Sequence, residues 1–268
     1  MLATSVAANL WVRGIFFNRH WRLGRWAVAY GNKLKKSSLR VQMRVFTIND
    51  IAIELPDWLE GTAIEEKLAS GDYEGHEAHA ALQRIKPGMR VLEVGAGLGY
   101  VSSICAKLAG PAAVVSIEAN PRMVEAAKAT LKRNGFEDVL LEHGAVVGNG
   151  HHDAMVNFRA GTLFWGGATL PNGVEKEDMV PVPALRIRPL LMEFRPRFVM
   201  LDVEGGEADL FKKPWPPFVK FVVLELHPSK YDTSVIKEIV DCMSETGLTY
   251  DPVTSRGRTL GFRRVPNA

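Results

Sequence analysis

Acidic residues are missing from the first part of this chain. No Asp or Glu occurs before Asp50, while that stretch carries nine Lys and Arg side chains. The formal charge of the whole is +3, so removing those nine leaves the chain from residue 50 onward at −6. A basic arm therefore precedes a mildly acidic body, and so small a net charge, with no nucleic-acid motif, argues against nucleic acid as a partner. Cysteine is scarce as well. Cys105 and Cys242 are the two present, too few for a disulfide framework and without a metal-like spacing. Cys105 falls in an apolar helical pattern, as a small buried hydrophobe does, and a reducing, cytoplasmic setting is expected. A run of 18 apolar residues is also lacking, which argues against a transmembrane helix. The opening MLATSVAANLWVRGIFF has no basic region ahead of its apolar part and does not read as a secretory signal.

What is present is an ordinary globular composition, 47% hydrophobic and 24% charged. Residues 1–45 form the arm, where Trp11, Phe16, Phe17, Trp21, Trp26 and Tyr30 alternate with arginines. Such a segment can lie as an amphipathic helix on an anionic membrane surface. The simpler reading packs its aromatic stripe on the body or on a second subunit. Residues 46–88 read as a hairpin and helical cover, with an Asn-Asp turn inside RVFTINDIAIEL and helical spacing broken near Gly71 to Gly75.

From residue 89 to 268 strands alternate with helices. RVLEVG, AVVSIEA and VLLEHGAVV (139–147) are expected strands, with helices over 99–110 and 121–135 between them. The second helix has Pro121 at its start and Gly135 at its end, as capping preferences dictate. This alternation predicts an α/β fold with a parallel sheet and right-handed crossovers. Residues 148–184 break the rhythm with glycines and prolines, and are expected to shape an acceptor pocket, with Phe158, Phe164 and Trp165 as candidates for its apolar wall. RFVMLDV and KFVVLELH are further strands, a helix is expected to start at GGEADLF, and SVIKEIVDCMSETG is an amphipathic helix. LTYDPV and TLGFRRV are an expected antiparallel pair.

The chemistry concentrates at VLEVGAGLGYVS (91–102). Gly95, Gly97 and Gly99 form G-x-G-x-G, one residue shorter than the G-x-G-x-x-G spacing of dinucleotide turns. Glu93 lies two positions before the first glycine, where a carboxylate suits a cationic ligand better than a pyrophosphate. S-adenosylmethionine carries an ammonium and a sulfonium, and Glu118 in SIEANP stands about 20 residues beyond the glycine turn, the offset of a ribose-binding carboxylate in a βαβ unit. Candidate contacts for this cofactor are Glu93, Gly95, Ala96, Gly97, Gly99 and Tyr100 from the first turn. Glu118, Ala119 and Asn120 from the second, backbone at Gly144 and Ala145, and Asp202 complete the set. His143 is placed on the adenine side.

These residues make the chain similar to class I S-adenosylmethionine-dependent methyltransferases. LDVEGGEADLF (201–211) is in addition similar to the D-x-E-G-x-E signature of the FkbM family. The resemblance spans residues 70–227 and implies a Rossmann-like, doubly wound, mostly parallel seven-stranded sheet with one antiparallel strand. It also implies methyl transfer, usually to a hydroxyl of a small molecule, sugar or glycan. From the residues themselves, Asp202, Glu204 and His227 are the candidate catalytic groups, at strand ends on the ligand edge of such a sheet. Either carboxylate could orient a hydroxyl or take its proton, and His227 could be the general base. Together they could approach a divalent metal, though no metal ligand is assigned. Glu207 reads as a helix-capping carboxylate. Glu74, His76, Glu77 and His79 could form a lid but read as solvated helix residues. Two other classes stay open: a nicotinamide-dependent dehydrogenase, and a non-catalytic S-adenosylmethionine-binding module docked by its arm to a membrane or partner.

Overall fold

The computed structural model describes residues 44–159 and 179–265. Nearly all of the arm, together with Phe164 and Trp165, lies outside the described residues.

The chain opens with a hairpin, β1 (Arg44–Ile48) and β2 (Ile51–Leu55), paired antiparallel. Asn49 and Asp50 turn it with φ of 50° and 59°, the left-handed pair that a two-residue hairpin loop requires and that Asn and Asp tolerate. β2 alternates as a half-buried strand must, with Ile51, Ile53 and Leu55 inward. Helices α1 (Ala63–Ser70) and α2 (Gly75–Arg84) follow, separated at Gly71, where φ is 81°. The hairpin and both helices share one hydrophobic core with the α/β body: Ile53, Ile64 and Ala81 sit in the same cluster as Leu98, Ile104 and Met123.

The body runs β3 (Val91–Val94), α3 (Tyr100–Ala109), β4 (Val114–Glu118), α4 (Pro121–Arg133) and β5 (Leu140–His143). Asn120 caps α4 by accepting from the Arg122 amide at 3.0 Å, with Pro121 at the first helical position. Further on come α5 (Ile187–Phe194), β9 (Phe198–Leu201), β10 (Phe221–Glu225), α6 (Thr233–Glu245), β11 (Leu248–Tyr250) and β12 (Thr259–Arg264). Seven of these strands form one sheet in the order β11-β12-β10-β9-β3-β4-β5. β12 is antiparallel to both its neighbours, and the other pairs are parallel. This is the doubly wound, mostly parallel seven-stranded sheet implied by the class I methyltransferase resemblance. A second core of Leu190, Phe194, Trp215, Ile239 and Met243 fills the face opposite the hairpin. β3 and β9 run parallel, but the strands that follow β3 are added on one side of it and β9 and β10 on the other, so the carboxyl ends of β3 and β9 open a crevice where ligands bind in this architecture. Among the described residues no helix is long and apolar enough to cross a membrane.

Two expectations need correction. The single strand foreseen over 139–147 breaks at Gly144, whose amide donates to the Glu118 carbonyl at 2.9 Å. Beyond it the chain leaves the main sheet as β6 (Ala145–Val147) and pairs parallel with β8 (Met179–Arg186), which pairs antiparallel with β7 (Met155–Arg159). Apolar residues continue across the break because each half is covered, so hydropathy alone does not mark it. The helix foreseen at GGEADLF is only one 3₁₀ turn, Gly206–Asp209, because Glu207 is drawn inward rather than left on a helix surface.

Helix α2 is fastened to the far end of the sheet by Arg84. Its Nε and Nη2 donate to the fully buried carboxylate of Asp251 at 2.7 and 2.6 Å. Burial pushes the Asp251 carboxyl up, and the guanidinium more than reverses this, holding it below the usual range. Arg84→Ala leaves that charge unpaired and is expected to lower unfolding free energy by about 3 kcal/mol in urea titrations at neutral pH. The depressed carboxyl also sets the sign of the pH effect. The pair's contribution is present above the ordinary Asp pKa and is lost as pH falls through the folded value, so the gap between wild type and variant should narrow in acid.

Candidate active site

The turn after β3 is built around carbonyl and carboxylate oxygens from β4. The amides of Gly95 and Ala96 both donate to the Ile117 carbonyl, at 2.8 and 3.1 Å. The amide of Gly97 donates to Glu118 Oε2 at 2.9 Å, and that of Asn120 to Oε1 at 2.7 Å. Gly95 and Gly97 have φ of 94° and 52°, which bends the chain around the Glu118 carboxylate. Burial raises the Glu118 pKa, opposed by the Asn120 and Gly97 amides. With one amide on each oxygen, the carboxylate still borders the crevice.

The crevice is a half-open cleft between the ends of β3, β4 and β9. Gly95, Gly97, Glu118, Ala119, Asn120, Gly144, Ala145 and Asp202 of the expected cofactor set all line it. Phe158 and Val146 provide apolar wall, so the small sheet of β6, β7 and β8 does face the cleft. The other members lie elsewhere. Glu93 is fully buried behind the turn, where its Oε2 accepts from Ser116 Oγ at 2.5 Å and from Ser102 Oγ. Burial pushes it up to about 7, against these two hydroxyls. With Ala96 and Tyr100 it borders a smaller cavity that shares Glu74, Val94, Gly95 and Asp202 with the cleft. Strand alternation explains the placement: Val94 points to the cleft, so Glu93 points away. Tyr100 accepts from Asn49 Nδ2 at 2.8 Å, which ties the hairpin to α3. Gly99 serves packing, since a Cβ there would sit 2.9 Å from Ala127 Cα on α4. His143 approaches the Ala119 carbonyl at 3.1 Å through Nε2.

The opposite end of the cleft is acidic. Asp202 and Glu204 follow β9, and His227 follows β10. The structure brings all three together: His227 Nε2 is 3.5 Å from Asp202 Oδ1 and 3.5 Å from Glu204 Oε2. Glu204 is held there with φ of 50°, an unfavourable conformation for a long side chain, before Gly205 at 105°. The other imidazole nitrogen, Nδ1, is 2.8 Å from Glu207 Oε1. Glu207 is completely buried and makes no cap hydrogen bond, so its reading as a helix cap is corrected: it orients the histidine. The D-x-E-x-x-E spacing with a distant strand-end His was the available signal. Glu74 and Glu77 were also misread as solvated. Glu77 is buried and accepts from Thr259 Oγ1 at 3.0 Å, and Glu74 lines the cleft. His76 and His79 are exposed, in keeping with the solvated reading.

These carboxylates are crowded. Burial raises Asp202, with Glu204 and Glu225 adding to it and His227 opposing. Burial likewise raises Glu204, against His227, and raises Glu74 with help from Asp202. For His227 burial lowers the pKa, but Glu207, Asp202 and Glu204 outweigh it and lift the group to about 9. The three carboxylates around it therefore favour its cationic form.

Comparison with known proteins now bears on this geometry. The family model for protein-L-isoaspartate(D-aspartate) O-methyltransferase (PCMT) matches residues 69–153. The protein-L-isoaspartate O-methyltransferase of Methanocella arvoryzae is 43% identical over 56 residues, 20% of this chain and 30% of that protein. The enzyme of the same name from Hyperthermus butylicus is 30% identical over 144 residues, 48% of this chain and 55% of that protein. The chain thus spans between about a third and about half the length of these curated relatives. Among solved structures, the ribosomal protein L11 methylase of Lactobacillus delbrueckii subsp. bulgaricus superposes with a TM-score of 0.41 at 13% identity, covering 73% of this chain and 80% of that one. The narrower FkbM resemblance is overturned: the family model that matches is the isoaspartate one, and curated relatives carry that name. The matched segment holds the glycine turn and Glu118 but stops short of Asp202, Glu204, Glu207 and His227.

Histidine titration by proton NMR checks the electrostatics. His227 should titrate near 9 in the wild type and fall by about one unit or more in Glu207→Gln, which removes one of its anions. Because the folded pKa is raised, this group's contribution to stability is complete below the ordinary His value and disappears as pH climbs through about 9.

Proposed function

We propose that this chain is an S-adenosylmethionine-dependent methyltransferase that methylates an oxygen atom at the acidic end of the cleft. One observation carries the reading: the Glu118 carboxylate, buried at the tip of β4 and braced by the Gly97 and Asn120 amides, faces one end of a cleft whose other end is Asp202, Glu204 and His227. The family match over residues 69–153 supports it on the glycine-turn side.

The residues fit such a ligand. A carboxylate bordering the cleft suits the vicinal hydroxyls of ribose, and Ile117, Val146 and Phe158 offer an apolar bed for a purine. Glu74 and Asp202, with burial already disfavouring their charge, gain by pairing with a cationic ligand. When bound, S-adenosylmethionine supplies a methyl group on a sulfonium, which passes in line to the acceptor oxygen while sulfur keeps the electron pair of the broken bond. The protein's part is to align the acceptor, exclude water and receive a proton. Asp202 and Glu204, with raised pKa values, are placed to accept it from a hydroxyl. His227 stands 3.5 Å from each of them, with its other nitrogen on Glu207.

A hydroxyl of a small molecule, sugar or glycan is the acceptor this end suits best, because a carboxylate acceptor would meet Asp202, Glu204 and Glu74 at once. The second reading is an isoaspartyl carboxylate on a protein, favoured by the family match and by the positive charge on His227.

Calorimetric titration with S-adenosylmethionine tests the core of this. Binding with a Kd of about 1–100 μM is expected. Glu118→Gln, which cannot accept both amides and a diol, should weaken it about 10- to 100-fold. No binding, or NADH binding in its place, would remove the reading. Methyl transfer to an isoaspartyl peptide but not to hydroxyl acceptors would select the second one.

A further inference from the structure

We infer that Asp202, Glu204 and His227 form a binding site for a first-row divalent cation of the Mn²⁺ type. Its donor atoms, one oxygen from each carboxylate and Nε2 of His227, all lie within 4.8 Å of one another. The imidazole stands 3.5 Å from each carboxylate. That is too long for charge-assisted hydrogen bonds, which close to about 2.7–2.9 Å. Two ligands that share one ion at about 2.1 Å stand roughly 3.0 to 3.4 Å apart, from octahedral to tetrahedral geometry, close to what is seen here.

Independent features point the same way. Among the described residues no hydrogen-bond donor reaches Asp202 Oδ1, although that atom is buried. His227 is only 5% exposed, and its Nε2 stands 3.5 Å from an oxygen of each carboxylate. Its Nδ1 is held by the completely buried Glu207 at 2.8 Å. A carboxylate fixing the far nitrogen of a ligating histidine is the usual outer arrangement of a metal site, and it directs Nε2 at the ion. Nearby, Glu225 is already paired with Arg258 at 2.7 Å, so the excess negative charge falls on Asp202 and Glu204. Two carboxylate oxygens and one imidazole favour Mn²⁺, Fe²⁺, Co²⁺ or Zn²⁺ over Ca²⁺ and Mg²⁺. Three protein donors leave positions open on the cleft side for water or an acceptor oxygen. That last role rests on the methyltransferase reading; the binding of the ion does not.

The test uses the full chain, stripped with a chelator and titrated with MnCl₂ while the electron paramagnetic resonance of free Mn²⁺ is followed. One equivalent should be taken up per chain and released by ZnCl₂. Asp202→Asn should weaken uptake at least about 10-fold, and Glu207→Gln, which touches no ion, by about 10-fold as well. Unchanged thermal unfolding of either variant shows that the loss is not misfolding, and Glu125→Gln, an exposed change, should leave uptake intact. Absence of Mn²⁺ uptake, or uptake unaltered in both site variants, overturns the inference. S-adenosylmethionine calorimetry on the same sample separates the two claims. Nucleoside binding without the ion overturns the cation site alone, and ion binding without the nucleoside upholds the site while removing the methyltransferase reading.

Discussion

The cleft depends on how closely two stretches of backbone run past each other. Where β3 ends, Gly95 lies against Asp202 so tightly that a Cβ would come within 2.0 Å of the Asp202 carbonyl oxygen. The Asp202 amide in turn donates to the Val94 carbonyl at 2.9 Å. No side chain fits at residue 95, and its φ of 94° is open only to glycine without strain. The turn that presents Gly97 to Glu118 and the strand end that presents Asp202 and Glu204 are thereby joined into one rigid unit. A ligand held by the first is delivered to the second, with no hinge between them. Alignment of reacting groups is worth several kcal/mol of barrier, which such a junction supplies without moving parts.

Around this junction the protein keeps an unusual number of acids out of water. Glu74, Glu77, Glu93, Glu118, Asp202, Glu204 and Glu207 all approach the cleft or the cavity beside it, and burial raises six of them. Buried carboxylates cost stability unless they are paired or hydrogen bonded. Here the compensation is partial: Glu118 has backbone amides, Glu93 has two serines, and His227 serves Asp202, Glu204 and Glu207 at once. Lone pairs at Glu93, Asp202 and Glu207 are left over. A site tuned this way is poised for positive charge, and it is less stable empty than filled.

Much of the scaffold was legible from residue pattern. The Asn-Asp hairpin, the Pro121 helix start and the β/α alternation from residue 89 follow from local rules, and the structure bears them out. The glycine turn with Glu118 was readable too, because chain spacing in a βαβ unit carries geometry. Other features were not. Whether a carboxylate such as Glu207 or Glu77 is solvated or buried depends on what packs over it, and that is decided by β10 and β12, distant in sequence. The break at Gly144 was hidden because the strand that left the sheet found a new apolar cover. Glu93 shows the limit of motif reading: the motif located it beside the turn, but strand alternation aims it at Ser102 and Ser116 rather than into the cleft. The eleven-residue LDVEGGEADLF suggested the wrong relatives because so short an acidic string reports a local need for carboxylates, not ancestry.

The order of strands has one more consequence. β12, residues 259–264, is not at the margin of the sheet but lies between β10 and β11. During translation β10 and β11 emerge first, so the flank of β10 that will face β12 stays without a partner until almost the last described residue has left the ribosome. A bare β10 flank, carrying the apolar run FVVLE, is a template for pairing with another chain. Until residues 259–264 are made, that flank is a place where two nascent copies can pair.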